Sequence, residues 1–214
     1  MIVSSRLLIL QTTKVGDKSL VLHTLSSQWG RRSFIVSAGK GMAMYLPMNI
    51  LDAEIMQNEK SSLWRLRGMQ AVHPLNGIRS SIGKNSITLF MSEVLYRIVR
   101  DGAFEEGLFE WCERSVLTLD ALESDWANFH IWWLLELCGA LGFSPCSEDL
   151  APFAGQHFPK LQRLLGLGFG GFMLEPMNGE ERNTMAQILL DYIGFHSDCK
   201  VEIRSLKVLR ELFS

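Results

Sequence analysis

The first eighty residues alternate between short runs of β-favouring side chains and clusters of turn residues. Glycine, asparagine and serine occupy the breaks, as tight turns require. Five runs have the strand pattern: residues 6–13, 19–26, 31–38, 47–56 and 62–72. Five short strands at this spacing predict a small closed barrel.

Beyond Lys84 the apolar residues recur every three and four positions, which is typical of amphipathic helices. The first helix is predicted to open at Asn85 or Ser86 and to stop near Gly102. The remaining predicted helices cover residues 105–122, 124 or 125 to 142, about 180–193 and 204–213. Residues 144–179 are rich in proline and glycine, and we interpret them as mostly irregular.

The change of period predicts an α+β chain of two domains. Residues 1–80 form the predicted five-stranded barrel, and residues 81–214 form an all-helical domain with the irregular segment at about 144–179. The chain of 214 residues is long enough for each domain to have its own core.

The sign of the net charge changes along the sequence close to the predicted domain boundary. Up to Arg79 the chain holds ten bases and four acids, a net charge of +6, whereas residues 85–214 hold ten bases and nineteen acids, a net charge of −9. A basic first half suggests a polyanionic partner, and the alternative is a solvated surface with an accidental bias.

The compartment is expected to be the cytoplasm. Residues 1–10 lack the charge arrangement and cleavage site of a secretory signal. The longest apolar run, residues 129–143, has 15 residues and is interrupted by His130 and Glu136, so it is too short for a bilayer span. The four cysteines are irregularly spaced, which favours reduced thiols over disulfides and supplies no paired zinc ligands. We expect neither metal nor cofactor.

Two glycine-rich motifs resemble phosphate-binding loops, but each lacks features that such loops require. AGKG, residues 38–41, lacks the upstream glycine and the following hydroxyl residue of a P-loop. GLGFGG, residues 166–171, matches a dinucleotide fingerprint but lacks the preceding strand, so a connector is favoured. No nucleophile, paired-carboxylate or triad pattern can be singled out, and we expect a protein that is not an enzyme.

The order of several phrases resembles the RecO family of bacterial recombination mediators, particularly its Bacteroidetes-like members. The phrases are VSSRLLILQTTKVGDKSLVLHTLSSQWGRRSFIV, NSITLFMSEVLYRIVR, WANFHIWWLLELCGALGFSP and the terminal VEIRSLKVLRELF. The resemblance covers nearly the whole chain. It departs from many relatives in retaining only Cys146 where they have a four-cysteine zinc module, and in the neutral stretch MAMYLPMN after AGKG.

The resemblance implies a fold and a set of partners. The barrel would be an OB-fold that binds single-stranded and duplex DNA, and the helical domain would engage the C-terminal tail of single-strand-binding protein. Family members also bind RecR, anneal complementary strands and help load RecA onto coated DNA. The implied location is the nucleoid within the cytoplasm.

Two sets of basic residues are the candidate sites. The arginines of the fifth run share one strand face, because Trp64 and Leu66 alternate with them. The DNA-contact candidates are Lys14, Arg31, Arg32, Lys40, Arg65 and Arg67. The candidates for binding the acidic, apolar-tipped tail of single-strand-binding protein are Arg97, Arg100 and Arg114, whose alternative role is that of ordinary solvated helix charges.

Three functions stay open at this point. The first is a DNA repair mediator without catalytic activity. The second is an adaptor whose barrel binds protein and not DNA. The third is an uncharacterised hydrolase or nucleotide enzyme, which turnover assays would detect.

Overall fold

The computed structural model describes residues 2–39, 41–57 and 63–213. Five strands form a closed barrel in the order β1-β2-β3-β5-β4. The strands are β1 Ile2–Val15, β2 Ser19–Ser26, β3 Gly30–Ser37, β4 Ile50–Met56 and β5 Trp64–Ala71. This is the strand order of an OB-fold, and the five predicted strands are confirmed.

The long first strand makes closure possible. Its first half pairs with β4 from Ile2 to Leu8, and its remainder pairs with β2 as far as Val15. A register shift between Ile9 and Gln11 marks the change of partner. Leu7, Leu22, Phe34, Leu51 and Leu66 project into the barrel from the five strands and belong to one core cluster.

Nine α-helices follow in the described part of the chain. They are α1 Asn76–Arg79, α2 Ile82–Ile98, α3 Leu108–Ala121, α4 Phe129–Ala140, α5 Ser147–Ala154, α6 Phe158–Leu165, α7 Phe169–Leu174, α8 Gly179–His196 and α9 Ser205–Leu212. The five predicted helices correspond to α2, α3, α4, α8 and α9. None of the helices in the described ranges combines the length and apolarity needed to cross a membrane.

The prediction that residues 144–179 are mostly irregular is wrong, because α5, α6 and α7 lie there. Helix α5 begins with a capping box in which the Asp149 carboxylate accepts from the Cys146 backbone N–H at 2.9 Å. Helix α6 has a proline in its first turn, where no backbone N–H is needed, and buries Leu161 and Leu164. Proline content was therefore a poor guide, since proline is compatible with helix starts.

The chain divides into two compact units whose boundaries differ from the predicted one at residue 80. The barrel unit contains Met1–Asn76 and Met91–Leu117, and the helical unit contains Gly77–Phe90 and Thr118–Ser214. By sequence the barrel unit holds twelve bases and ten acids, and the helical unit holds nine bases and thirteen acids. The net charges of +2 and −4 are less opposed than those of the two sequence halves.

The helical unit is organised around two buried polar residues on α4 and just before it. The side-chain amide of Asn128 donates to the carbonyls of Phe172, Met173 and Glu175 at 2.8 to 3.2 Å. His130 is 1 % exposed, and its ring lies edge-on to Phe90 and stacks on Phe213. Burial, and after it the charge of Arg182, lowers the pKa of His130 to about 3.

His130 should make the protein less stable in acid. The unfolded chain binds a proton at this residue below about pH 6.5, whereas the folded chain does so only near pH 3. The free energy of unfolding should therefore fall by up to about 1.4 kcal/mol per pH unit as the pH drops through this window. His130→Phe keeps an aromatic ring between Phe90 and Phe213, and its unfolding free energy should depend less steeply on pH. Urea titrations of both proteins from pH 7.5 to 5 measure this difference, and identical slopes would contradict it.

Candidate nucleic-acid interface

The start of β3 is held against the loop that follows α2. Arg31 donates its backbone N–H to the carbonyl of Ala103 at 3.0 Å, and Gly102 donates its N–H to the carbonyl of Arg31 at 2.9 Å. Gly30 has φ +61°, and a Cβ at this position would lie 1.8 Å from the Ala103 carbonyl oxygen. Only glycine fits both the left-handed conformation and the close approach of the two chain segments.

The Arg31 side chain ends helix α2. One terminal guanidinium nitrogen donates to the carbonyls of Tyr96 at 2.7 Å and Val99 at 2.6 Å. The guanidinium carbon also lies 4.2 Å from the centre of the Tyr96 ring. Carbonyls at a helix C-terminus lack partners within the helix, and the helix dipole favours a cation there. Arg31 therefore supplies a C-terminal cap.

The expectation that Arg31 contacts DNA phosphate stays a prediction. The contacts that the structure does show are structural, because one terminal nitrogen of Arg31 donates to carbonyls at the end of α2 and its Nε is buried. We therefore assign Arg31 to the fold of the barrel unit and leave it out of the candidate interface.

Arg32 points the other way, as the alternation of a strand requires. Its guanidinium lies 5.1 Å from the centre of the Trp64 ring, and the Trp64 ring in turn contacts Trp29 and Phe34 edge-on. The Nε atom of Arg32 is buried without a hydrogen-bond partner. Arg32 thus covers the aromatic cluster at the β2–β3 end of the barrel, and its side chain is half-buried.

The opposite end of β3 has exposed basic residues on both sides. Ala38 donates its N–H to the carbonyl of Lys18 at 2.9 Å, which places the β1–β2 turn beside the end of β3. On the other side, Ile35 pairs with Arg65 of β5. Lys14 lies opposite Leu20 near the same hairpin end. These three basic residues are exposed, and two strand spacings separate β5 from β2, about 10 Å.

We call Lys14, Lys18, Arg65 and Arg67 the β3-end surface. Arg67 is exposed on the same face of β5 as Arg65. It lies opposite Glu54 of β4, and the Glu54 carboxylate offsets the positive charge that Arg67 adds to this surface. Lys14 belongs to β1, which extends beyond the predicted strand run of residues 6–13. The expectation for Lys40 lies outside the described residues.

Lys18 was missed by the sequence analysis. The turn that holds it also contains Asp17, and an acid beside a base gave no reason to select it. The signal that could have found it is its position in the connection between the first two strands, because OB-folds bind oligonucleotides with this loop.

Helices cover the outer face of β1 and β2. Leu8 and Leu25 alternate with core residues and so face outward, yet they are 0 % and 2 % exposed. His23 on the same face of β2 lies 5.1 Å from the Tyr96 ring of α2. Burial, and after it the charge of Arg31, lowers the pKa of His23. This part of the barrel surface is closed to a nucleic acid.

A second contact holds α3 to the barrel. Arg6 of β1 donates to both carboxylate oxygens of Glu113 at 2.7 Å, and the same carboxylate lies 3.3 Å from His73. The Arg6 guanidinium also lies 5.8 Å from the Phe109 ring. The Glu113 side chain is only 12 % exposed, whereas that of Arg6 is 43 % exposed, so solvent still screens part of this ion pair.

Of the predicted protein-binding arginines, Arg97 lies on α2, Arg114 on α3, and Arg100 just after α2. Arg97, Arg100 and Arg114 are exposed, and all three belong to the barrel unit. The expectation placed them on the helical domain, so the unit that carries them differs from the predicted one. The loop between α2 and α3 adds Asp101, Glu105 and Glu106 nearby in sequence.

The described residues do not support a dinucleotide site, a metal site or a reactive thiol. Residues 166–171 form a turn and the start of α7, with helix α6 before them and no strand. Within the described part of the chain, histidine, cysteine and carboxylate side chains do not gather in groups of three that could hold a metal ion. Burial raises the pKa of Cys138 to about 12 and also raises that of Cys112, so both thiols stay protonated.

Known proteins resemble the chain over its full length. A family model described as "Recombination protein O C terminal" matches residues 79–149. The "DNA repair protein RecO" of Phocaeicola vulgatus is 26% identical, with 97% of each chain covered. The proteins of the same name from Flavobacterium psychrophilum and Porphyromonas gingivalis are 26% and 25% identical, with 99% and 100% of each chain covered.

Replacing Arg31 should destabilise the protein. Arg31→Ala removes two charge-assisted hydrogen bonds and a cation–π contact, and we expect the free energy of unfolding to fall by about 2 kcal/mol. Arg31→Lys should be intermediate, because an ammonium lacks the planar fork of a guanidinium. Arg65→Ala, an exposed arginine on the paired strand, is the matched control and should change stability by less than about 0.5 kcal/mol.

Urea denaturation at fixed pH measures all three variants. Arg31→Ala with unchanged stability, together with weakened DNA binding, would return Arg31 to the interface and contradict the capping role.

Proposed function

We propose that the chain is a member of the RecO family of DNA repair proteins and that it binds DNA through the β3-end surface of its barrel. The observation that carries this proposal is the exposure of Lys14, Lys18 and Arg65 around the end of β3, on a barrel with OB strand order. OB-folds bind single strands in grooves whose basic residues follow the backbone. The basic residues stand on three strands or turns, so an extended strand could contact several of them at once.

Binding of this kind is independent of base sequence. Lysine and arginine at strand ends contact phosphates, which position a nucleic acid but carry no sequence information. The half-buried rings of Trp29 and Trp64 pack against the barrel core, so base stacking is not the main contribution. The site should therefore accept unrelated sequences, with affinity set by salt concentration.

In the proposed role the protein acts as a mediator and not as a catalyst. It would hold DNA, help a recombinase replace single-strand-binding protein on coated strands, and bring complementary strands together for annealing. A RecR-like protein and the C-terminal tail of single-strand-binding protein are the proposed protein partners. Its proposed place is the nucleoid in the cytoplasm.

Removing charge from the β3-end surface should reduce the salt dependence of DNA binding. Each phosphate contact to a single strand contributes roughly 0.7 to the slope of log affinity against log salt. The double variant Lys18→Ala and Arg65→Ala should lower this slope by about 0.7 to 1.4 and weaken binding equally for unrelated oligonucleotides. Fluorescence anisotropy across a salt series measures the slope. Lys207→Ala, an exposed base on α9, is the control and should leave the slope unchanged.

An unchanged slope in the folded double variant would remove this surface from the DNA site. If the unaltered protein also failed to bind any oligonucleotide, the adaptor function would replace the mediator function.

Binding of the tail of single-strand-binding protein should depend on the exposed arginines at the C-terminal end of α2 and just beyond it. An acidic tail is attracted by exposed bases, so Arg97→Ala with Arg100→Ala should weaken binding of a labelled tail peptide several-fold. The measurement is the amount of labelled tail peptide bound by each immobilised protein at low salt, with Lys207→Ala as the control. Equal binding by both variants would place the tail elsewhere.

A further inference from the structure

The helical unit contains an open apolar groove of about 700 Å³ that the proposed DNA function does not use. Its floor consists of Leu190, Gly194 and Val201, all buried. A Cβ at Gly194 would lie 2.8 Å from the Cys199 carbonyl oxygen, so glycine lets α8 approach residues 199–201 closely. The groove is therefore a built feature of the contact between α8 and the segment that follows it.

Two phenylalanines form the wall. Phe153 of α5 and Phe195 of α8 contact edge-on with ring centres 5.9 Å apart. Phe195 is 71% exposed. A phenylalanine this exposed gains little of the stabilisation that burial of its ring would give. An exposed aromatic ring beside an apolar groove is typical of a binding surface, because aromatic residues concentrate in the centres of interfaces.

The rim of the groove carries negative charge. Asp191 and Asp198 line it and are exposed, whereas Lys200 pairs with Glu202 so that their charges cancel. The helical unit as a whole has four more acids than bases. A nucleic acid or an acidic peptide would be repelled here, and a cation would be attracted both by the carboxylates and by the face of an aromatic ring.

We propose that this groove binds a segment of a partner protein in which lysine or arginine flanks an apolar side chain. The apolar side chain contacts Phe153, Leu190 and Val201, while the flanking cations face Asp191 and Asp198. The volume has room for one large side chain and its neighbours, which is the size range of ordinary ligand sites. The proposed DNA function neither requires this site nor supplies its occupant.

Fluorescence anisotropy with the full-length protein and three labelled peptides tests the proposal. The peptide KRFRK should bind saturably, KRARK should bind at least fivefold more weakly, and EDFDE should not bind. Phe195→Ala should weaken KRFRK binding at least fivefold, since a central aromatic contact dominates a small interface. Asp191→Asn with Asp198→Asn should reduce the dependence of binding on salt. Leu174→Ala, which removes a residue of 66% exposure outside the groove, is the matched control and should have no effect.

Each contrary result overturns the proposal: no saturable binding of KRFRK, equal binding of KRFRK and KRARK, stronger binding of EDFDE, or full binding by Phe195→Ala. Oligonucleotide binding measured on the same variants should be unchanged. Failure of the groove and failure of the DNA site are thereby separate outcomes.

Discussion

The contact between Arg31 and the end of α2 determines how the barrel unit is arranged. A guanidinium that donates to two helix carbonyls and covers the Tyr96 ring fixes where α2 ends on the barrel. The backbone of the same residue pairs with residues 102 and 103, and Gly30 permits the approach. Because these interactions converge on one residue, β3, α2 and the following loop are positioned together. The Arg6–Glu113 pair then holds α3 to β1.

This arrangement decides which part of the barrel can meet DNA. On the outer face of β1 and β2, Leu8 and Leu25 are buried, His23 contacts Tyr96 of α2, and Arg6 pairs with Glu113 of α3. The start of β3 is committed to Arg31 and its partners, and the β2–β3 end of the barrel is covered by Arg32 over Trp64. The C-terminal end of β3 is left with exposed basic residues on both flanks. The proposed DNA site is therefore the basic barrel surface that these internal contacts leave exposed.

The sequence predicted the elements with strong periodicity and missed what depends on tertiary contact. Alternation located the five strands, and the spacing of Ile87, Phe90 and Val94 located α2. Helices α5 to α7 were missed because proline and glycine were counted without regard to their position in a helix. Arg31 and Arg32 show what a sequence pattern cannot predict. Both are adjacent bases, and only the folded chain shows that Arg31 caps a helix whereas Arg32 covers an aromatic ring. Residues 91–117 were assigned to the helical domain for the same reason, because periodicity says nothing about which unit a helix packs against.

The central claim is that DNA lies across the C-terminal end of β3. Photochemical crosslinking of the full-length protein to an oligonucleotide containing 5-iodouracil, followed by mass spectrometry of the crosslinked peptides, tests it directly. The account predicts crosslinks within residues 14–18, 35–39 and 65–67, which flank the end of β3. Crosslinks confined to residues 91–117, or to the groove beside Phe195, would contradict it.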